Sequence, residues 1–438
     1  MNPARITIEG NYWDCQIYRG RLYLFTIKGT IKTVKWNDLI DSLQNDEYIN
    51  IALSYAYKNG RNLYHPELNE LFRDVDIRNL LATKFDNLST KSFLISEELL
   101  DKFIIAEQDT PFDELHTDSE VLSNKLYVLT HNSLESVGIH TKSKRHPVER
   151  IPKKHFDLYA FTLRANNYAR LAVSAGDDGL MEYNGSSSYL WSYHNAKRMV
   201  QVSDRHSSFA DYSFLSIYNS SLAGDSFMSY FTWNDEVKRK RPERVKRDEF
   251  SEKKIFETAE VKNSYLSWGS NEKIYRAVDG GLEVVRFNNY AKRGEPIFSG
   301  TKFIPFQPWK GKVLSAAVAY FGTVLHCENA VVVMLSDGSF YNIPGEISRV
   351  RIFPRSLNYE NHLHVIHEDK LEIYSFNSDY FVDQKTKDFG FAYKPAKIFG
   401  RRYGQWESNE DYYDFEDFDE DDKNDKPESP IDSKDLPF

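Results

Sequence analysis

The feature that most constrains this chain is a hairpin grammar that recurs along it. Short apolar runs meet at a tight turn, as in "RLYLFTIKGTIKTVKW" at Lys28-Gly29 and "LYVLTHNSLESVGI" at Asn132-Ser133. The same pattern appears in "RLAVSAGDDGLMEYN" at Asp178-Gly179 and in "FLSIYNSSLAGDSFMSYF" between Asn219 and Asp225. It appears again in "KIYRAVDGGLEVVRF" at Asp279-Gly280, "VVVMLSDGSFYNIP" at Asp337-Gly338 and "LHVIHEDKLEIYSF" at Glu368-Asp369. Asp-Gly between apolar strands signals a hairpin because glycine takes positive φ without a Cβ clash and the turn matches strand twist. After the turn, "GLMEYN", "GLEVVRF", "GSFYNI" and "KLEIYSF" share one order: small or polar, large apolar, variable, then aromatic or β-branched.

From residue 132 onward the turns are separated by about 30 to 60 residues, the spacing of repeated supersecondary units. One hairpin per repeat, preceded by extended segments such as "HFDLYAFTL", suits a four-stranded blade. Aromatic residues at 15% favour the same β-rich answer. The expected fold is therefore all-β, a propeller of about seven four-stranded blades over residues 1–400. "RITIEG" at the N-terminus is expected to close the ring against the last blade and so remove exposed strand edges.

In this hairpin grammar the chain resembles β-propellers of the tryptophan–aspartate-repeat type and their quinoprotein-like relatives. The resemblance implies a ring of blades and recognition of partners. The terminal Trp-Asp pair and the Gly-His pair of that repeat are absent, and "YHNAKRMV" and "WND" do not replace them.

Two regions break the grammar. "YINIALSYAYKNGRNLY" reads as a further hairpin turning at Asn59-Gly60. Beyond it, "HPELNELFRDVDIRNLLATKF" carries an approximate helical stripe, and "SEELLDKFIIAEQ" offers Ser96 as an N-cap ahead of acidic residues. A mostly helical insertion is expected over residues 66–120. At the other end, residues 401–438 lack apolar periodicity and are expected to be disordered.

Candidate chemistry is sparse. Asp177 and Asp178 lack the alternating oxygen ligands of a calcium loop and read as turn residues. His362 and His364 share one face of a strand while His367 falls on the other, and nothing nearby completes a tetrahedral metal site. His326 and Cys327 are adjacent, so they point to opposite sides of a strand and do not pair as base and nucleophile. No phosphate-binding loop, dinucleotide fingerprint, zinc-protease helix or nucleophile elbow is present. The expectation is a non-enzymatic chain with no cofactor or metal. An enzyme or ligand sensor is the alternative, its site at the propeller channel with His362, His364, Asp177 and Asp178 as first suspects.

Charge points instead to partners. "KRKRPERVKR" gathers Lys238, Arg239, Lys240, Arg241, Arg244, Lys246 and Arg247, and "KSKRHPVERIPKK" is a second basic cluster. The tail "ESNEDYYDFEDFDEDD" interleaves acids with Tyr412, Tyr413, Phe415 and Phe418, just beyond Trp406. Solvating tails need no aromatics, so this segment is expected to dock on a basic, partly apolar surface. Without the tail, the net charge of −9 falls close to neutral. The sequence thus favours a scaffold, adaptor or regulatory subunit binding protein partners. Nucleic acid is less favoured, because neither basic cluster carries interleaved aromatics. No run resembles a signal peptide or a membrane span, so a soluble cytoplasmic chain, or a nuclear one in a eukaryote, is expected.

Overall fold

In a computed structural model, the protein is described over residues 2–390, with interruptions at 45, 62, 64–73, 114, 140–146, 167–169, 186–198, 235–242, 258–263, 271, 290, 292–294, 357 and 382–388. The strands form seven sheets, antiparallel but for one added strand and built mainly from consecutive strands, and the chain is a seven-bladed propeller. The innermost strands, from blade 1 to blade 7, are Tyr12–Tyr18, Asp118–Leu122, Thr162–Ala165, Phe209–Ser213, Ser264–Ser270, Val313–Ala319 and Arg349–Ile352.

Six of the seven expected turns join the two middle strands of a blade. Asp337-Gly338 is the exception, joining the third and fourth strands of blade 6. The middle turn of that blade is Glu328-Asn329, between Gly322–Cys327 and Ala330–Leu335. The apolar stretch 312–335 is accordingly three buried strands, and no helix among the described residues is long and apolar enough to cross a membrane.

At Asp177-Asp178 both side chains are exposed, and Gly179 has φ +89° with a would-be Cβ 2.2 Å from the Ser203 carbonyl oxygen. The glycine is required by backbone and the aspartates are not. Asp177→Asn and Asp178→Asn are expected to change stability by less than about 0.5 kcal/mol. Gly179→Ala is expected to cost roughly 1–3 kcal/mol. Urea titration of the three variants checks both.

The N-terminal strand closes the ring as expected. Ala4–Glu9 pairs antiparallel with Lys370–Ser375 of blade 7, with Ile6 opposite Ile373. A second seal was not foreseen: Ser92–Ile95 adds to the far side of Ala4–Glu9 in parallel, making blade 7 five-stranded.

The strand Ser92–Ile95 belongs to the helical insertion, which lies between the third and fourth strands of blade 1 (Thr30–Lys35 and Ile104–Asp109). Its helices are α1 (Trp36–Ser42), α2 (Glu47–Tyr57), α3 (Val75–Ser89) and α4 (Glu97–Asp101). The insertion therefore begins earlier and ends earlier than 66–120. Residues 104–109 and 118–122 are blade strands, and the stripe residues Leu68, Leu71 and Phe72 lie outside the described residues. The expected hairpin over Tyr48–Tyr64 is wrong, because Glu47–Tyr57 is helical. Asp46 caps it by accepting the Tyr48 N–H, and Ile49, Ala52, Leu53, Ala56 and Tyr57 bury one face at helical spacing. Its tyrosines and isoleucines imitate strand composition, but burial follows the helical period. Ser96 caps α4 as expected, accepting the Leu99 N–H.

The helices share one core with the closing strand, in which Ile6 and Ile8 meet Leu53, Tyr57, Leu81 and Phe85. The carbonyl of Ala56, near the C-terminus of α2, accepts hydrogen bonds from His362 Nε2, Asn361 Nδ2 and Ser375 Oγ, each at 2.9 Å. The insertion is thus fastened across the point where the first and last blades meet.

Candidate functional site

Inner strands adjoin one another around a propeller axis, so a charged residue there meets charges from other blades. Three inner strands carry an aspartate: Asp14 in blade 1, Asp118 in blade 2 and Asp211 in blade 4. Each carboxylate accepts the next residue's N–H, from Cys15 at 2.8 Å, Ser119 at 2.9 Å and Tyr212 at 2.8 Å. The inner strand of blade 7 supplies Arg349 and Arg351, two residues apart and so on one face.

These groups meet. Arg351 grips Asp14 through two parallel bonds, Nε to Oδ1 at 2.8 Å and Nη2 to Oδ2 at 2.6 Å, and reaches Asp118 Oδ1 at 2.5 Å. Such bidentate charge-assisted pairs are the strong ones. Asp14 Oδ2 also takes His116 Nε2 at 2.6 Å and Ser119 Oγ at 2.5 Å. Arg349 lies 3.7 Å from Asp14 and 3.8 Å from Asp118, with Arg164 of blade 3 at 3.6 Å from Asp118. Arg355 pairs with Glu120 at the edge of the cluster. The network joins blades 7, 1, 2 and 3, across the closing seam.

Burial by itself would raise the Asp14 pKa, but Arg351 and Arg349, helped by His116, hold it well below the carboxylate range. Asp118 is lowered in the same way, burial being outweighed by Arg351, Arg164 and Arg349. Burial lowers the His116 pKa more than Asp14 raises it, and Nε2 donates to the Asp14 carboxylate. Asp211 differs: its burial dominates and pushes its pKa up. Around Asp14 and Asp118 the charges satisfy one another, an arrangement that locks blades together.

The residues singled out from sequence do not converge here. His362 and His364 are fully buried in blade 7 with rings 5.6 Å apart, sharing a face as expected. His362 bonds the Ala56 carbonyl, His364 Nδ1 lies 3.3 Å from Cys15 Sγ, and His367 pairs with Glu372 at 3.2 Å. Asp177 and Asp178 stay on their exposed turn. His326 bonds the Ile347 carbonyl while Cys327 faces the core, with its thiol pushed up to about 11 by burial. Among the described residues no three His, Cys, Asp or Glu side chains are placed to hold a metal ion.

The basic cluster divides. Lys238, Arg239, Lys240 and Arg241 lie outside the described residues, as do Trp406, Tyr412, Tyr413, Phe415 and Phe418. Arg244 is not a surface docking residue: its side chain is 2% exposed. It bonds both Glu182 oxygens at 2.9 and 2.7 Å and sits 3.5 Å over the Phe231 ring. The strand Glu243–Ser251 turns its head inward, which a linear count of charges does not reveal. Lys246 bonds the Val202 carbonyl at 2.7 Å and Glu249 at 2.8 Å, while the exposed Arg247 bonds Thr232 at 2.9 Å.

The buried histidines carry a pH consequence. Burial lowers His362 to about 4 and His364 well below its ordinary value. Unfolded, they titrate near 6.5, so below that pH the unfolded chain binds more protons and stability falls as the pH drops towards 4. Each unit of separation is worth about 1.4 kcal/mol. Urea midpoints are expected to fall between pH 6.5 and 4.5, and less steeply in His362→Gln, whose amide still reaches Ala56. Equal slopes in the two proteins would contradict this.

No known family's sequence pattern matches the chain, and no curated protein sequence does. Among solved structures, the Neurospora crassa Pan2 WD40 domain is 9% identical, with 84% of this chain and 89% of that one covered and a TM-score of 0.40. Kluyveromyces lactis Hsv2 is 14% identical over 65% of this chain and 79% of its own, with a TM-score of 0.36. Human WBSCR16 is 11% identical over 62% and 90%, also at 0.36. The assignment as a propeller rests on the chain's own sheet topology.

Proposed function

We propose that the protein is a non-catalytic interaction module, a scaffold or regulatory subunit that holds a protein partner on its helical insertion. The observation that carries this is a set of exposed large apolar side chains on that insertion: Tyr48 and Ile51 on α2, Val75, Ile77 and Leu80 on α3, and Leu94 on the adjoining strand. Six such side chains on one short insertion are a concentration of the kind that interaction surfaces carry. Asp46, Glu47, Asp74, Asp76 and Asp86 are exposed on the same helices and their caps, so the surface fits a partner with an apolar centre and a basic rim. The mutual pairing of Arg351, Arg349, Asp14 and Asp118 supports a structural role for the channel rather than a reactive one.

Affinity capture tests this with three full-length or near-full-length baits: the wild-type chain, Ile51→Glu/Leu80→Glu, and a chain ending before Trp406. Loss of a partner from the first variant alone supports docking on the insertion. Loss from the truncated chain alone moves the contact to the acidic-aromatic tail. Identical recovery by all three baits overturns both.

A further inference from the structure

The ring is complete once Lys370–Ser375 pairs with Ala4–Glu9, yet the chain returns to it later. Phe389 belongs to no strand but is buried, 3% exposed, in the apolar cluster between blades 5 and 6. Its ring lies 6.3 Å from that of Tyr275 in blade 5 and 6.2 Å from that of Phe306 in the linker to blade 6. Its carbonyl accepts the Thr323 hydroxyl at 3.2 Å. The next residue must be small, because a Cβ on Gly390 would lie 2.5 Å from the Tyr320 carbonyl oxygen and 3.1 Å from the Gly322 nitrogen. The seam therefore reads two adjacent features of a peptide: an aromatic side chain, and then a backbone with no side chain.

A second observation shows that this occupant leaves the seam unsatisfied. The same cluster contains Trp268 and Trp309, each 2% exposed, and both buried indole N–H groups lack an acceptor among the described residues. A buried donor left unpaired costs roughly 1–3 kcal/mol. A peptide that brought carbonyl oxygens into the seam would satisfy donors that the present packing does not.

We propose that the seam between blades 5 and 6 is a docking groove for an extended partner peptide carrying a Phe-Gly pair, and that the chain's own Phe389-Gly390 occupies it in cis. Affinity in the groove comes from the aromatic cluster, and specificity from the close approach of Tyr320 and Gly322 to the glycine. The cis copy competes at an effective concentration of roughly millimolar, so it masks the groove from weak ligands. This surface is separate from the helical insertion, and either can fail alone.

The probe is a fluorescent peptide of residues 385–394, "KTKDFGFAYK", titrated into full-length protein. Binding to Phe389→Ala is expected to be at least about tenfold tighter than to the wild-type chain. Peptides in which the phenylalanine is alanine, or the glycine is valine, are expected not to bind. A Phe389→Ala protein with the wild-type circular-dichroism spectrum that binds the peptide no better than wild type overturns the proposal. To cover a failure of that variant to fold, a protease site is placed within 383–387 of the otherwise wild-type chain and cut under native conditions. Exchange of the released C-terminal fragment for excess labelled peptide supports a groove. A fragment that stays bound while the peptide is excluded shows Phe389 to be permanent core, and overturns it.

Discussion

Replacing Arg351 by alanine is expected to destabilise the protein by roughly 3–5 kcal/mol, enough to remove much of a domain's ordinary margin. The reason lies in what is left behind. Asp14 is fully buried and Asp118 nearly so, and Arg351 is the group that touches both. Arg349, more than 3.5 Å from either, does not replace the two parallel bonds to Asp14. The control is the triple change Asp14→Asn, Asp118→Asn, Arg351→Met, which removes the charges together and is expected to recover part of the loss. Denaturant titrations give the free energies. Because the network is buried, the penalty is expected to vary little between low and moderate salt. A penalty below about 1 kcal/mol would show that the network is no more than a surface ion pair in its energetics.

The second large effect is expected at the closing strand. Ile6 and Ile8 are fully buried in the core shared by Ala4–Glu9, the helical insertion and blade 7. Truncating a buried isoleucine to alanine costs roughly 2–5 kcal/mol. Ile6→Ala and Ile8→Ala together are therefore expected to exceed the stability of many domains. Since the strand lies between two others, loosening it frees the edges of both Lys370–Ser375 and Ser92–Ile95. Unpaired edges recruit other chains, so the double variant is expected to form oligomers or aggregates as well as to melt earlier. Size-exclusion chromatography and thermal melts check the two outcomes separately. A monomeric double variant with an unchanged melting temperature would show that closure does not depend on this strand.

The hairpins were legible because a turn and its flanking strands are local: Lys28-Gly29, Asp178-Gly179 and Asp279-Gly280 each announce a blade within some fifteen residues. Asp337-Gly338 shows the limit, since the dipeptide marks a turn without saying which of a blade's turns it is. Helix α2 looks like a strand in sequence because Tyr48, Ile49, Ile51 and Tyr55 favour strands in composition, while burial at Ile49, Ala52, Leu53 and Ala56 follows a helix. The channel network was hidden for another reason. Arg351 and Asp14 are 337 positions apart, and only the closed ring brings them together. A trace of it exists in the sequence, as a lone aspartate inside the apolar strand "YWDCQIY" and two arginines sharing a face in "RVRI". Acidic groups are rarely buried without a partner, so Asp14 is the signal that the sequence carries.

The parallel strand Ser92–Ile95 has a consequence for the order of events on the ribosome. Ala4–Glu9 is synthesised before its antiparallel partner Lys370–Ser375, which emerges some 360 residues later, roughly 20–70 s at ordinary translation rates. Through that interval an apolar strand without a partner would invite pairing with neighbouring nascent chains. Ser92–Ile95 is made long before Lys370–Ser375, and helix α3, which packs against Ala4–Glu9, precedes it. The insertion is thus placed to act as an internal chaperone, shielding Ala4–Glu9 until Lys370–Ser375 arrives to receive it.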